Sequence, residues 1–366
     1  MQASLRRGER ILDALLPLLA VLAAMLIGAV MLALLGASPL KAYRSLVVGA
    51  LGSTSGITQT LAKATPLLLV GLGITIAYRG GVINIGGEGQ LIVGATTATA
   101  FSLALRHWPG WILLPLTMLS GFVAGAVWGS IPGVLKARLR VNEILSTVMM
   151  NQIAIRGMFF LLRGAMIDPA EIAAGTRIAQ SEALPTQVWL PRLVPRSLFH
   201  AGAIVAVVLA VLVYILLWRT TIGYRIRAVG LNPDAARYAG INVPLYTVLA
   251  MVLSGGFAGL AGAVEVMGVH HRMIEGLSGG YGFSGIVAAL FGKLHPLGTI
   301  PASFLFGALL VGADKMQRTV QVPSALVTAL QGLVVIFVVS SELWSRRRSV
   351  RRATVAPAQT VEMEKT

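Results

Sequence analysis

The sequence predicts an all-α polytopic membrane protein of about ten transmembrane helices, some of them short or broken. Hydrophobic residues make up 56% of the 366 residues, charged residues only 12%, and the mean hydropathy is +0.79. A soluble domain carries roughly 25% charged residues, so the deficit places most of this chain in lipid. Apolar runs of about 20 residues, the length that spans a bilayer as a helix, recur along the whole sequence.

Ten segments are apolar enough to be predicted as spans. In order they are Ile11–Leu35, Ala64–Arg79, Ile83–Leu105, Trp111–Leu135, Glu143–Leu162, His200–Trp218, Leu245–Val269, Gly280–Phe291, Leu297–Val311 and Ala325–Leu343. Ala64–Arg79 and Gly280–Phe291 are short and glycine-rich, which is typical of a broken helix or a re-entrant segment. The stretch Lys41–Gln59 is too polar to count as a span.

The distribution of basic residues predicts the orientation. With the N-terminus inside, 18 Lys or Arg lie on the inner side and 11 on the outer side, with Arg156 in a span. By the positive-inside rule, both termini are therefore cytoplasmic. Residues 1–10 are the cytoplasmic N-terminus, 11–343 a single transmembrane domain and 344–366 a basic tail predicted to be disordered. Within the domain, residues 163–198 form an external loop and 219–244 a cytoplasmic loop.

Composition and missing motifs argue against several classes of protein. The net charge of +16 is explained by basic loops, since no nucleic-acid motif accompanies it. Without cysteine there is no disulfide, thiolate chemistry or Cys-based metal site. Gly292–Lys293 lacks the first glycine of a phosphate-binding loop, since Val287 occupies that position. We therefore expect no catalytic residue, metal or bound cofactor, and any ATP would be bound by a partner.

The cytoplasmic loop contains a short polar helix signature, Gly230–Val243. Asn232 is a typical N-cap, Pro233 suits the first helical position, and Gly240 ends the helix after about two turns. Such a small, rigid, Ala-rich helix presented to the cytosol suits docking into a groove on another protein.

Polar residues inside the spans form two groups. In Tyr78–Gln90, Asn84 and Glu88 share a face if the segment is helical, and nearby glycines allow an unwound backbone. In Val141–Asn151, Glu143, Thr147 and Asn151 recur every four residues and point to the bundle interior. Interhelical hydrogen bonding and solute contact are both compatible with these groups.

Small residues repeat every four positions in two spans. They are Gly121, Gly125, Gly129 and Gly133 in one span, and Gly255, Gly259 and Ala263 in the other. This spacing predicts close helix–helix packing, either within this chain, which we favour, or against a second membrane subunit.

Two possible chemical sites are not favoured. Ser284, in a G-x-S-G pattern of the rhomboid-protease type, lies 11 residues from His295, which on one helix is about 16 Å, too far for a catalytic pair. At the outer end of a later span lie Glu265, His270, His271 and Glu275. These are predicted to form a solvated or protein-contacting rim rather than a metal site.

The order of four stretches resembles the membrane subunits of bacterial ATP-binding cassette (ABC) importers. The stretches are Pro66–Gly94, Val141–Asn151, Gly230–Val243 and Gly279–Phe306. Within that superfamily the chain resembles permeases of ribose and branched-chain amino acid systems, and above all the nucleoside branch that works with a basic-membrane-protein-type lipoprotein. Each stretch alone is weak evidence, whereas the four in this order are fairly specific.

The resemblance implies a division of labour in a bacterial cytoplasmic (inner) membrane. An external binding protein or lipoprotein would deliver a nucleoside or similar sugar-containing solute, and this chain would pair with a related permease, most simply as a heterodimer. A cytoplasmic ATPase would drive transport through Gly230–Val243 as coupling helix. By carry-over, Gly230, Asn232, Pro233, Ala236 and Gly240 are the expected coupling residues. From chemistry and position, the pathway candidates are Asn84, Glu88, Gln90 and Asn151.

The main alternative is a stand-alone secondary transporter or channel for a small polar solute. Glu88 would then be its coupling group, because such carriers keep a titratable or cation-binding site near the bilayer midplane. The scarcity of Lys, Arg and Asp inside the spans favours an uncharged solute and an ATP-driven permease.

Overall fold

The computed structural model describes residues 22, 23 and 25–321, with positions 329, 332, 333 and 336. Its helices are α1 (Met25–Leu34), α2 (Pro39–Leu51), α3 (Thr54–Arg79), α4 (Gly87–Ala104), α5 (Gly110–Leu139), α6 (Glu143–Leu162), α7 (Pro169–Ala173), α8 (Gly202–Arg219), α9 (Thr221–Leu231), α10 (Pro233–Tyr238), α11 (Val243–Glu265), α12 (Tyr281–Phe291) and α13 (Pro296–Val320). A 3₁₀ turn (Thr186–Val188) and a π-helical turn (Val266–His270) complete the described elements. The predicted all-helical architecture is confirmed for this part of the chain.

The described chain divides into two compact units. The larger comprises residues 46–315. In the smaller, which includes residues 25–45 and 316–320, Leu32, Ala42 and Met316 form a buried apolar cluster. The predicted span Ala325–Leu343, the residues before position 22 and the basic tail lie outside the described residues, apart from four isolated positions.

Helices α3 and α11 occupy the centre of the larger unit. In α3, 89% of the most apolar 18-residue stretch is buried, and in α11 the corresponding share is 72%, against 28% in α5 and α8 and 22% in α6. Helix α11 packs on α3, α4 and α5, while α12 packs on α3 and α4. A helix buried all round needs no polar face, which explains why α3 is apolar in every direction between Ala64 and Ala77.

Glycines set the closest approach in this core. A Cβ on Gly125 of α5 would lie 2.7 Å from the Gly259 Cα of α11, and a Cβ on Gly259 would lie 2.8 Å from the Gly125 Cα. Only glycine permits this backbone contact, because real Cβ atoms do not approach so closely. The predicted glycine stripes therefore pack against each other, and the interpretation of packing within the chain is confirmed.

Six described helices are long and apolar enough to span a membrane: α3, α5, α6, α8, α11 with its π-helical turn, and α13. The prediction that Ala64–Arg79 is short or broken is wrong, because α3 begins ten residues earlier and runs through Pro66 without interruption. Burial on all sides protects its glycine-rich stretch. Helix α12 has only 11 residues, as its sequence predicted. The count of ten spans stays a prediction.

The break near α3 lies after the helix rather than inside it. Residues 82–85 have no helical structure, and α4 begins only at Gly87, although the predicted span began at Ile83. Asn84 and Glu88 therefore do not share a helical face. The glycines of this stretch instead allow the unwound backbone that was the other expectation.

The predicted external loop packs on the connection between α11 and α12. Leu184 and Leu190 donate backbone hydrogen bonds to the carbonyls of His271 and Met267, at 2.8 and 3.0 Å. Ser181 and Met273 bond each other twice, each donating its backbone N–H at 2.9 Å, to the Met273 carbonyl and the Ser181 hydroxyl respectively. This loop therefore forms a cap over the end of α11.

Candidate functional site

The unwound segment before α4 is held by a buried amide network. The Asn84 side-chain amide donates to Gln90 Oε1 at 2.9 Å and to Ser254 Oγ at 2.8 Å, while Asn84 Oδ1 accepts the Gly86 N–H at 2.8 Å. All three side chains are buried. Because no helix satisfies the backbone here, these side chains supply the hydrogen bonds that a membrane interior requires.

Asn151 of α6 fixes the first turn of α4 from the other side. Its Oδ1 accepts the Gly89 N–H at 2.8 Å, and its amide donates to the Ile85 carbonyl at 3.0 Å. Gly89 must lack a side chain, since a Cβ there would lie 2.8 Å from the Asn151 Cα. Asn151 thus satisfies two backbone groups that the broken helix leaves free.

Glu88 joins the N-terminus of α4 to that of α12. Its Oε2 accepts the Gly282 N–H at 2.8 Å, in the first turn of α12, where a carboxylate is also favoured by the helix dipole. Gly280, with φ of +78°, makes the left-handed turn that starts α12. Two helix N-termini therefore meet at one carboxylate. We call Asn84, Glu88, Gln90, Asn151, Ser254 and Gly282 the polar junction.

The polar junction lies deep inside the bundle. A Cβ on Gly87 would lie 3.4 Å from Val70 Cγ1, and Val70 is nine residues, about 13 Å, from the end of α3. Asn151 is eight residues, about 12 Å, from the start of α6. All four predicted pathway residues are brought together here, with Ser254 and Gly282 added by α11 and α12.

The face of α6 that carries Asn151 is buried as predicted. Glu143, Thr147 and Asn151 are all buried, and Glu143 accepts a 2.7 Å salt bridge from Lys136 Nζ. This ion pair ties the end of α5 to the start of α6, which is a structural role for Glu143.

The predicted coupling segment forms α10 as its sequence requires. Asn232 Oδ1 accepts the N–H groups of Asp234 and Ala235 at 3.1 and 3.0 Å, Pro233 is the first helical residue, and Gly240 has φ of +77°. Ala236 is buried, whereas Leu231 and Tyr238 are 87% and 94% exposed. The last residue of α9 and the last residue of α10 therefore each offer a large exposed side chain to a partner.

Gly230 does not belong to α10. It lies near the end of α9, where a Cβ would collide with the Arg79 carbonyl oxygen and lie 2.7 Å from the Gly81 nitrogen. Gly230 thus lets α9 touch the turn between α3 and the unwound segment. The segment that carries α10 and the segment that leads to the polar junction are in direct backbone contact.

Sequence reasoning missed an aromatic and cationic cluster beside this contact. The guanidinium carbons of Arg79 and Arg227 lie 5.4 and 5.5 Å from the Trp218 ring centroid, and the His295 ring lies 4.9 Å from it. Arg79 Nε also donates to the Leu294 carbonyl at 3.0 Å. Cation–π contacts of this kind hold α3, α8, α9 and the α12–α13 turn together. Trp and Arg at the ends of predicted spans were the available signal.

His295 and Ser284 lie in different surroundings. The His295 ring packs on Tyr214 and Trp218 of α8, while Ser284 lies within α12.

Only part of the predicted outer rim is exposed. Glu275 is exposed, but Glu265 is 3% exposed at the end of α11, so the expectation of a solvated or protein-contacting rim is wrong for this residue. In the described part of the chain, no group of three or more His, Asp or Glu residues is placed to hold a metal ion.

Comparison with known proteins identifies the family of this chain. Residues 56–339 match the family model described as branched-chain amino acid transport system, permease component. A guanosine ABC transporter permease of Bacillus subtilis is 36% identical over 91% of this chain and 95% of its own length. A glucose ABC transporter permease of Haloferax volcanii is 36% identical over 93% and 92%. A second guanosine ABC transporter permease of Bacillus subtilis is 32% identical over 69% and 79%.

The matched region begins in α3 and includes the polar junction, α10 and the contact of Gly230 with the Arg79–Gly81 turn. This chain belongs to the branched-chain amino acid transport system permease family and is a transmembrane permease subunit of an ABC importer.

Proposed function

We propose that this permease carries a nucleoside or related sugar-containing solute into the cytoplasm through the polar junction. The main observation behind this proposal is the chemistry of the junction. It consists of side-chain amides, a hydroxyl and one carboxylate that already accepts an N–H group. It contains no Lys, Arg or Asp. Such a site suits a neutral, polyhydroxylated solute, which needs several directional hydrogen bonds rather than a counter-charge. The guanosine and glucose relatives support this solute class.

The amides offer a route for passage without a large energetic barrier. Asn84 and Gln90 bond each other reciprocally, at 2.9 and 3.3 Å. When a solute with hydroxyl groups enters, the two amides would give up their mutual hydrogen bonds and form bonds to the solute instead. The total number of hydrogen bonds would hardly change, so little net free energy is lost. We therefore assign Asn84, Glu88, Gln90 and Asn151 to the solute pathway.

We place α10 on the cytoplasmic side, together with both termini, in a bacterial inner membrane. The distribution of basic residues supports this orientation. A cytoplasmic ATPase would bind the exposed Leu231 and Tyr238 and move α9 and α10 as a unit. Because Gly230 touches the Arg79–Gly81 turn, this movement would reach the unwound segment and the polar junction directly.

We further propose that the complex contains a second, related permease and an external binding protein or lipoprotein. The presence of two guanosine permeases in Bacillus subtilis that both resemble this chain supports a heterodimer. The cap formed by residues 163–198 is the proposed landing surface for the external protein.

The test compares two glycines that have the same backbone strain at different places. Gly240 and Gly36 have φ of +77° and +75°, both are exposed, and a Cβ on either meets nothing within 4 Å. In cells that lack the chromosomal gene, Gly240→Leu should abolish uptake of labelled guanosine and ATPase stimulation in the purified complex. Gly36→Leu should leave ATPase stimulation intact. Equal stimulation in the two variants would refute the coupling role of α10.

The stand-alone carrier is tested through Glu88. A proton-driven carrier should lose its proton dependence in Glu88→Gln, whereas an ATP-driven permease has none to lose. Co-purification of an ATPase and a second permease with the tagged chain supports the importer. Repeated recovery of the chain alone from mild detergents supports the carrier.

A further inference from the structure

Glu265 is a buried carboxylate in the core of the larger unit. It is the last residue of α11, directly before the π-helical turn, and its residue surface is 3% exposed. An ionised side chain is rarely kept in such a place without partners, since desolvation costs several kcal/mol. A π-helical turn is also frequent at functional sites.

The hydrogen bonding of this carboxylate is incomplete. Oε1 lies 3.5 Å from His270 Nε2, at the edge of hydrogen-bond distance, while Oε2 is buried and has no hydrogen-bond partner. The ammonium group of Lys63 in α3 forms a 2.6 Å salt bridge with Asp314 rather than with Glu265. One acceptor oxygen is therefore left for a donor that the described residues do not provide.

Helix α11 connects Glu265 to the polar junction. Ser254 and Glu265 are 11 residues apart on this helix, which is about three turns or about 16 Å, so the two side chains lie on the same face. Ser254 Oγ accepts the Asn84 side-chain amide at 2.8 Å. A solute that moves along this face of α11 towards the polar junction would therefore meet the carboxyl group of Glu265 before it reaches Ser254.

We propose that Glu265 is a specificity-determining residue that accepts hydrogen bonds from adjacent hydroxyl groups of the solute. A buried carboxyl oxygen without a partner is a good acceptor for such a pair, because leaving it unpaired costs free energy. Among the residues that the structure describes, none donates a hydrogen bond to Oε2, and this open acceptor points to a ligand. This inference rests on the proposed transport of a sugar-containing solute and adds the residue that selects its hydroxyl groups.

The test uses competition in whole cells, so that the native partners are present. Uptake of labelled guanosine is inhibited with unlabelled guanosine or with 2′,3′-dideoxyguanosine, and the ratio of the two inhibition constants measures hydroxyl selectivity. In Glu265→Ala this selectivity should fall about tenfold, the effect of losing one or two hydrogen bonds to the solute. Glu265→Gln, which keeps the shape, should shift it less in the same direction.

The ratio is independent of how much transporter reaches the membrane, and the unchanged binding protein contributes equally in every strain. Glu275→Gln is the matched control, because Glu275 is exposed in the same connection, and its selectivity should equal that of the wild type. An unchanged ratio in both Glu265 variants would overturn the proposal. Complete loss of uptake in both would also overturn it, because Glu265 would then serve folding or gating.

Failure of the transport assignment is recognised separately. If deletion of the gene leaves guanosine uptake unchanged, the nucleoside assignment fails. The same ratio is then measured with labelled glucose against glucose and 3-deoxyglucose. A Glu265-dependent ratio for glucose supports the hydroxyl-binding role, and an unaffected ratio overturns it.

Discussion

Asn84 and Asn232 use the same chemistry in two different regions. Each accepts backbone N–H groups through its side-chain oxygen, at 2.8 Å for Asn84 and at 3.0 and 3.1 Å for Asn232. Asn84 is fully buried, and its other bonds reach Gln90 and Ser254, whereas Asn232 is exposed and bonds only to residues two and three positions away. The first bonds exist because separate helices meet, and the second follow from local sequence. The predictions below test this difference.

The largest effect is expected from Asn84→Ala. The substitution removes two donated and two accepted hydrogen bonds from a buried network, and it leaves the Gly86 N–H without its partner. We expect the free energy of unfolding to fall by on the order of 3 kcal/mol, with loss of uptake. Thermal unfolding in detergent measures the first effect. A melting temperature equal to that of the wild type would show that the network is not structural.

Gly230→Ala should have the next largest effect. Its Cβ would press on backbone atoms of Arg79 and Gly81, which cannot move aside as a flexible side chain can. We expect overpacking to lower the free energy of unfolding by about 2 kcal/mol. Gly240→Ala is the control, since its Cβ meets no atom within 4 Å and only backbone strain of about 1 kcal/mol remains. Equal melting temperatures for the two variants would contradict the α9 contact.

Asn232→Ala should destabilise α10 by about 1 kcal/mol, the usual value of an N-cap. Because the bonds are local and exposed, the melting temperature of the whole protein should hardly change. ATPase stimulation should decrease, since the docking helix would fray. Asn232→Ser, which retains a capping oxygen, should restore the stimulation. A large loss of global stability in Asn232→Ala would remove the distinction from Asn84.

The smallest effect is expected from His200. Its side chain accepts a backbone N–H two residues away, as Asn232 does, but it is buried, as Asn84 is. Its Nδ1 accepts the Gly202 N–H at 3.2 Å. Burial, with a smaller contribution from nearby His271, lowers the pKa of His200 to about 4 from the usual 6.5. The unfolded chain therefore binds the proton more readily, so stability is full above about pH 6.5 and declines as the pH falls towards 4.

At pH 6 the expected loss of unfolding free energy is about 0.8 kcal/mol relative to pH 7.5. His200→Gln should reduce the difference in melting temperature between pH 7.5 and pH 6. The same difference in the variant as in the wild type would show that His200 does not carry this pH dependence.

Much of the fold could be predicted because its signals are local. Apolar length predicted most of the spans, and the capping residues predicted α10 to within a residue or two. Four-residue glycine spacing predicted close packing of α5 and of α11, and the structure shows that the two helices pack on each other. The weakness assigned to Ala64–Arg79 was wrong because glycine content was judged without knowing that α3 is enclosed by neighbours.

The candidate site was predicted by residue type but not by arrangement. Asn84, Glu88, Gln90 and Asn151 were chosen because polar groups are costly in lipid, and the structure brings them together. The partners Ser254 and Gly282 lie 170 and 194 residues away from Asn84 and Glu88. No spacing rule connects positions so far apart. For the same reason, the sequence did not predict the cluster around Trp218 or the burial of Glu265.

The sequence alone determined the helical membrane class, the capped α10 and the set of polar residues, since each depends on composition or on neighbours within a few positions. The tertiary structure decided that α3 is continuous, that Gly230 packs on the Arg79–Gly81 turn, and that Glu88 meets the N-terminus of α12. These features depend on which helix surfaces face one another. A buried polar group acquires its role from the atoms that satisfy it, and those atoms come from distant parts of the chain.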